Sequence, residues 1–279
     1  MRREFARTMT IRFRIVDETV HSVLAASRLR AYSDFVDCPL GETVATSSTT
    51  QTRKLALPAC DGVLECFLKV YRYAGRSWRH RFRRDKAAVE VENYETMRHR
   101  CGIAVPDVLA HGSRRAGLRL LDAFLLTRAV RDASPLSALA ATAWPNPNRL
   151  ASDQLRDDLL ERTADLVGQM HGRGFYHVDL QWRNLLIAQR RTAAPRIIVL
   201  DAPRGGVRLW RPRRLHGQLR DLSSLYKEAR IRLRRTEQMR WLHRYASVSA
   251  ALGAPDTEVR RLARAVVYDR RLKDNPPSA

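Results

Sequence analysis

One stretch limits what this chain can become: Gly174 to Ile187, reading Gly-Phe-Tyr-His-Val-Asp-Leu-Gln-Trp-Arg-Asn-Leu-Leu-Ile. Before it, Leu155, Leu159, Leu166, Val167 and Met170 recur at helical spacing, Ser152-Asp153 offers an N-cap, and Gly172 and Gly174 stop the helix. After it, Leu185 to Ala188 reads as a strand. His177, Asp179 and Asn184 are thus presented on a short connection between a helix and a strand. There a carboxylate can orient or remove the proton of a hydroxyl, and an amide oxygen five residues later can hold a hard cation. A surface loop with an acid and an amide is the plain alternative, and the rest of the chain has to decide.

Upstream, Ile11 to Val16 alternates like a strand, and a helix is expected from Glu18 to about Phe35. A Thr- and Ser-rich segment, Thr43 to Thr52, precedes alternating Leu55 and Leu57, and Asp61-Gly62 signals a hairpin turn into a strand from Val63 to Tyr73. The two-residue period puts Cys66, Leu68 and Val70 on one face and Phe67, Lys69 and Tyr71 on the other, so Lys69 points away from the apolar core. In the next helix, expected from about Ser77 to Arg100, Glu90, Tyr94, Met97 and Cys101 share one face. A carboxylate therefore opens an apolar stripe, where a partner for Lys69 is wanted; Glu92, on another face, is the second choice. Gly102 and Val105-Pro106 end that helix in an extended exit. Two strands follow, Val108 to His111 and Leu118 to Thr127, the second apolar enough to be central. A short helix is expected near Leu136 to Ala141. The strand Arg196 to Asp201 delivers Asp201 at the exit of a buried run, where a carboxylate needs a metal or a donor. Beyond Asp221 the chain is helical and basic to about Asp269.

The 279 residues suffice for one two-lobed enzyme, and no run approaches the roughly 20 apolar residues of a membrane helix. The start has charge but no apolar core region, so a secretory signal is not expected and the chain is expected in the cytoplasm. Cys38, Cys60, Cys66 and Cys101 lack metal-site or disulfide spacing and read mostly as small buried apolar residues. A net charge of +22 favours a polyanionic partner. From Arg204 to Arg244 there are 13 Lys and Arg against 3 Asp and Glu, a local excess of +10. This suits anionic lipid or the phosphates of an acceptor; a solvated face is the bland alternative. No RNA- or DNA-binding signature accompanies the charge, so nucleic acid is not the expected partner.

The order Lys on a strand, Glu on the next helix, His-x-Asp with Asn after a later helix, and Asp after a strand is the order of kinase-like phosphotransferases. The chain further resembles the bacterial lipopolysaccharide core kinases, which phosphorylate Kdo or heptose, and their InaA-like relatives. The resemblance runs from about Leu29 to Tyr245. It is carried by Phe67-Leu-Lys69-Val, the Glu90 helix running into Gly102-Ile-Ala-Val-Pro106, Phe124-Leu-Leu-Thr127, His171 through Leu186, Val199-Leu-Asp201 with Arg204, Arg220-Asp221-Leu222 and Arg240 to Tyr245. It implies an α+β, bilobal, protein-kinase-like fold. Residues 1–40 would be an extension, 41–128 a small antiparallel-sheet lobe with one helix, 129–150 hinge and linker, 151–272 a mainly helical lobe, and 273–279 a disordered tail.

The resemblance also implies ATP and magnesium as cofactors and a lipid-linked or small saccharide as acceptor, met in the cytoplasm or peripherally on the inner face of the inner membrane. Lys69 would hold the α- and β-phosphates and be oriented by Glu90; Asn184 and Asp201 would hold magnesium; Asp179 would orient or deprotonate the hydroxyl. His177 would support the loop and Asp221 would brace it. There are departures. The loop Ala45 to Thr52 before Lys69 has no glycine, Asp201-Ala-Pro stands where kinases carry Asp-Phe-Gly, and Gln181 stands where protein kinases carry a lysine. Only 19 residues separate Asp201 from Asp221, too few for a segment that docks a peptide, which favours a small or lipid-linked acceptor. An aminoglycoside-type small-molecule kinase and a catalytically silent kinase-like scaffold are the alternatives.

Overall fold

A computed structural model describes residues 9–60, 62–73, 84–144, 154–190, 193–255 and 257–274. The chain divides into two compact units, Met1–Glu92 with Pro106–Val130, and Asn93–Val105 with Arg131–Ala279.

The first unit is an antiparallel sheet of six strands: β1 Met9–Ile15, β2 Glu42–Thr46, β3 Thr50–Ala59, β4 Gly62–Arg72, β5 Val108–Ala116 and β6 Arg119–Arg128, in the order β1-β5-β6-β4-β3-β2. Strand β6 is interior, as its apolar run requires. Strand β5 runs beyond the expected His111 to Ala116, and the β5–β6 turn is tight because Gly117 takes a left-handed φ of 57°. Ala59 pairs with Gly62, while Asp61 of the expected turn lies outside the described residues. The glycine-free Ala45 to Thr52 segment is itself a hairpin: Ala45 faces Thr52, Thr46 faces Gln51, and the Ser47 N–H donates to Thr50 O.

One face of this sheet, with Leu55, Leu57, Cys66, Leu68 and Val70, is buried against Val20, Leu24, Tyr32, Phe35 and Val36. The residues ahead of β2 thus supply core. Their helix is not continuous from Glu18 to Phe35. A 3-10 turn, Glu18–Val20, leads into α1 His21–Ala26; Arg28 adopts φ 60°, and α2 Tyr32–Val36 starts anew. The break is stabilised by the Asp34 carboxylate, which accepts from the Arg30 and Ala31 N–H groups and is held below the usual carboxylate range by them. Tyr32 then fastens α2 to the sheet by donating to Asp122 Oδ1 at 2.5 Å, and Asp122 is paired with Arg114. Tyr32→Phe is expected to lose about 1.5–3 kcal/mol of stability, since it removes a buried donor from a carboxylate; urea melts of the two proteins check this.

Helix α3, Lys86–Glu95, continues as a π-helical turn, Thr96–Arg100, where the Cys101 N–H reaches back to Thr96 O. The residues before 84 in the expected helix lie outside the described residues. Gly102, at φ 65°, ends the helix.

The second unit is mainly helical. Within the stretch read as linker, Ala133–Pro135 forms β7 and Leu136–Ala143 forms α4. Helix α5 Gln154–Gly172 follows, its expected cap at Ser152-Asp153 lying outside the described residues. Then come β8 Phe175–Tyr176, a 3-10 turn Trp182–Asn184, β9 Leu185–Arg190, β10 Ala193–Val199 and β11 Gly206–Val207. Helices α6 Arg211–Arg232, α7 Arg235–Ala251 and α8 Val259–Asp274 complete the unit, so α6 begins ten residues before Asp221 and α8 runs past Asp269. Residues 275–279 of the expected tail lie outside the described residues. The small sheets are β10-β9-β7 and β11-β8. Helix α5 packs on α7 through a buried Arg156–Glu237 ion pair and a Trp241 Nε1 bond to Thr163 Oγ1 at 3.0 Å. Among the described residues, no helix is long and apolar enough to cross a membrane. The four cysteines are free; Cys38, Cys66 and Cys101 are buried, and burial pushes the Cys66 thiol up to about 12.

Candidate active site

In the first unit, Lys69 on β4 and Glu90 on α3 meet, with Nζ 3.1 Å from Oε2 and 3.3 Å from Oε1. Glu90 is buried, and a buried carboxylate is stable only with donors around it. The second donor is Tyr71, whose hydroxyl reaches Glu90 Oε2 at 2.6 Å. Tyr71 shares the Lys69 face by the two-residue period, so its place was readable while its bond was not. Glu92 is exposed and bonds Arg84 instead. The Lys69 ammonium lies 5.4 Å from the centre of the Tyr71 ring. It is a cation held by a carboxylate and beside an aromatic face.

In the second unit, three residues of the Gly174 to Ile187 loop form one hydrogen-bonded group. Asn184 donates through Nδ2 to the Asp179 carbonyl at 2.9 Å, which turns its Oδ1 away from the loop backbone. Gln181 donates through Nε2 to Asp179 Oδ1 at 2.6 Å. One carboxylate oxygen of Asp179 is thereby fixed and the other remains as acceptor. Gln181 thus has a definite contact where sequence left it without one. Gln181→Ala is expected to lower kcat about tenfold by letting Asp179 rotate, with the KM for nucleotide unchanged, measured by steady-state kinetics.

Beneath the loop, Asp221 of α6 is buried and accepts at Oδ2 from the His177 N–H at 2.8 Å and from His171 Nε2 at 3.2 Å. A carboxylate can only accept, so His171 Nε2 carries the proton. Tyr245 can then donate to His171 Nδ1 at 2.9 Å and accept from Gln218 Nε2 at 2.8 Å. Burial raises the Tyr245 and Tyr176 phenols, keeping both protonated. His177 is buried and donates through Nε2 to Leu200 O at 2.8 Å, which ties the loop to the residue after β10. Helix α6 approaches this closely because Gly217 has no side chain: a Cβ there would sit 2.6 Å from the Tyr176 ring. Neither His171, Tyr245 nor Gln218 stood out as a site residue in the sequence; their signal is a helical His and an aromatic 74 residues apart.

Two residues here have positive φ although they carry side chains, Val178 at 72° and Asp201 at 60°. Such conformations cost on the order of 1–3 kcal/mol and persist where neighbours over-determine them. Val178 is fixed by the His177 N–H bond on one side and the Asp179 carbonyl bond on the other. Asp201 follows β10, and its N–H donates to the Tyr94 hydroxyl at 3.0 Å. Asn93 clamps the following turn, donating to Ala202 O at 2.7 Å and Gly205 O at 3.0 Å.

Among the described residues, no group of three His, Cys, Asp or Glu is arranged to hold a metal. The Asn184 amide oxygen and the Asp201 carboxylate are hard oxygen donors. That set fits magnesium, which keeps waters and takes phosphate oxygens beside one or two protein ligands.

A family model described as lipopolysaccharide kinase (Kdo/WaaP) family matches residues 67–245, which contain every residue of the two groups above. No curated protein sequence matches the chain. The structure is similar to WaaP in complex with acyl carrier protein, with a TM-score of 0.68 and 21% identity over 93% of this chain and 98% of that one. It also matches the Rio2 kinase in an ADP/Mg2+-phosphoaspartate complex from Chaetomium thermophilum, with a TM-score of 0.48 and 14% identity over 89% and 77% of the two chains. The likeness to WaaP gives the fold: an antiparallel-sheet lobe and a mainly helical lobe of the protein-kinase type.

Proposed function

Because the chain belongs to the lipopolysaccharide kinase (Kdo/WaaP) family and is a kinase, we propose that it uses ATP and magnesium to phosphorylate a sugar hydroxyl, of Kdo or heptose, in the lipopolysaccharide core. The observation that carries this reading is the Asp179 group. A carboxylate with one oxygen fixed by Gln181, beside an amide whose nitrogen is committed to the loop backbone, suits alignment of a hydroxyl next to a cation. When bound, ATP supplies the γ-phosphoryl and magnesium draws charge off its oxygens.

Lys69, braced by Glu90 and Tyr71, would take the α- and β-phosphates. Asn184 Oδ1 and the Asp201 carboxylate would hold magnesium. Asp179 orients the acceptor hydroxyl and takes its proton as the new bond forms. Asp221 and His177 hold the loop and do not react. The hairpin around Ser47 would cover the phosphates with hydroxyl and backbone N–H groups. The short span from Asp201 to Asp221 supports a sugar acceptor over a peptide, and the basic stretch supports a chain acting at the cytoplasmic face of an anionic membrane.

Purified protein given ATP, magnesium and de-lipidated core oligosaccharide is expected to transfer phosphate to the sugar. Turnover of free aminoglycosides with core sugars ignored would point to a small-molecule kinase. A nucleotide thermal shift that is absent or independent of magnesium would point to a silent scaffold.

A further inference from the structure

The basic stretch is not uniform. Arg230, Arg240 and Arg244 are paired with Asp274, Asp157 and Asp165, and Arg214 donates to the Tyr176 hydroxyl and Gly253 O. From Ala202 to Arg220, by contrast, there are six arginines and no acid. Arg204, Arg211 and Arg213 are exposed there, and no carboxylate meets them among the described residues.

In the middle of this run stand Leu209 and Trp210, 85% and 73% exposed, the two most exposed large apolar side chains among the described residues. Their backbone is well fixed. Gly206 and Val207 pair with Tyr176 and Phe175, the Arg208 N–H donates to Gly174 O at 2.9 Å, and the Arg214 N–H donates to Trp210 O at 2.9 Å as α6 begins. A leucine and a tryptophan held rigidly in water amid unpaired guanidiniums are costly without a surface to enter. Tryptophan suits the headgroup level of a bilayer, and arginine is drawn to anionic headgroups.

We propose that the segment Val207–Arg213 is a membrane wedge: Leu209 and Trp210 enter the boundary between headgroups and acyl chains of an anionic bilayer, while Arg204, Arg211 and Arg213 meet its phosphates. The inference rests on the reading above for its purpose, since a lipid-linked acceptor lies at such a surface. Strand β8, to which β11 is paired, runs directly into His177 and Asp179. A seated wedge therefore holds the catalytic loop close to the lipid.

The full chain is tested by co-sedimentation with phosphatidylcholine vesicles, with and without phosphatidylglycerol. Wild type is expected to bind only the anionic vesicles. The pair Leu209→Ser and Trp210→Ser is expected to weaken binding about tenfold or more, with an unchanged melting midpoint and unchanged transfer to de-lipidated core oligosaccharide. The pair Arg211→Gln and Arg213→Gln is expected to remove the preference for phosphatidylglycerol. Bromine-labelled lipid should quench wild-type tryptophan fluorescence and spare most of it in Trp210→Ser. Wild type that ignores anionic vesicles, or a serine pair that binds them as well as wild type, overturns the proposal. So does a serine pair that only breaks up self-association or the capture of an acidic protein. Because vesicle binding requires no acceptor, its failure is distinct from failure of sugar phosphorylation.

Discussion

Asp179→Asn is expected to lower kcat by about 10²- to 10⁴-fold, the range lost when a positioned acid–base group is removed, while nucleotide affinity changes little. Asparagine keeps the size of the side chain but cannot take a proton. Its Oδ1 can still accept from Gln181 Nε2 at the 2.6 Å contact, while the second oxygen is replaced by an NH2 that cannot accept. Asp179 contributes only its backbone carbonyl to Asn184, and that bond is untouched by the substitution. The Asn184 amide should therefore stay in place, and the loss should fall on kcat rather than on the KM for nucleotide. Single-turnover kinetics beside a magnesium-dependent thermal shift separates the two. An Asp179→Asn protein with near wild-type turnover would mean that Asp179 is not the residue that meets the hydroxyl.

The second large effect is on stability and follows from Asp221. This carboxylate is fully buried and receives two donors, the His177 N–H and His171 Nε2. Asp221→Ala strands both donors and opens a cavity beneath the loop, for an expected loss of about 3–5 kcal/mol, read from urea denaturation. Asp221→Asn should be milder, because its oxygen, in the place of Oδ2, can still accept from both the His177 N–H and His171 Nε2, though without a charge. In Asp221→Ala, Val178 loses one of the restraints that hold its positive φ. Turnover should then fall more than the stability loss alone explains, since the loop relaxes toward an ordinary backbone conformation. If Asp221→Ala melts like wild type, the network through His171, Tyr245 and Gln218 is not what braces the loop.

Much of this arrangement was legible in the sequence because periodicity is a property of local backbone geometry. Two-residue alternation separated Lys69 from Cys66, Leu68 and Val70, and helical spacing grouped Glu90 with Tyr94, Met97 and Cys101, all of which are buried. The choice of Glu90 over Glu92 followed from the same spacing. Left-handed backbone at Arg28 was not legible: the apolar spacing from Glu18 to Phe35 continues through the break, where α1 ends at Ala26 and the reach of Asp34 back to the Arg30 and Ala31 amides starts α2. The roles of Tyr71, Gln181 and His171 depend on where a side chain ends rather than on which face it leaves. The basic stretch could be counted in the sequence but not resolved into paired and unpaired arginines, because its partners Asp157, Asp165 and Asp274 lie far away along the chain.

The central claim is that this kinase places phosphate on a sugar of the lipopolysaccharide core. The most direct measurement is the mass of core lipopolysaccharide from cells lacking the chain, complemented with wild type or with Asp179→Asn. The account predicts a core lighter by one phosphate in the deletion, restored by wild type and not by Asp179→Asn. Identical core masses in all of these strains would contradict it.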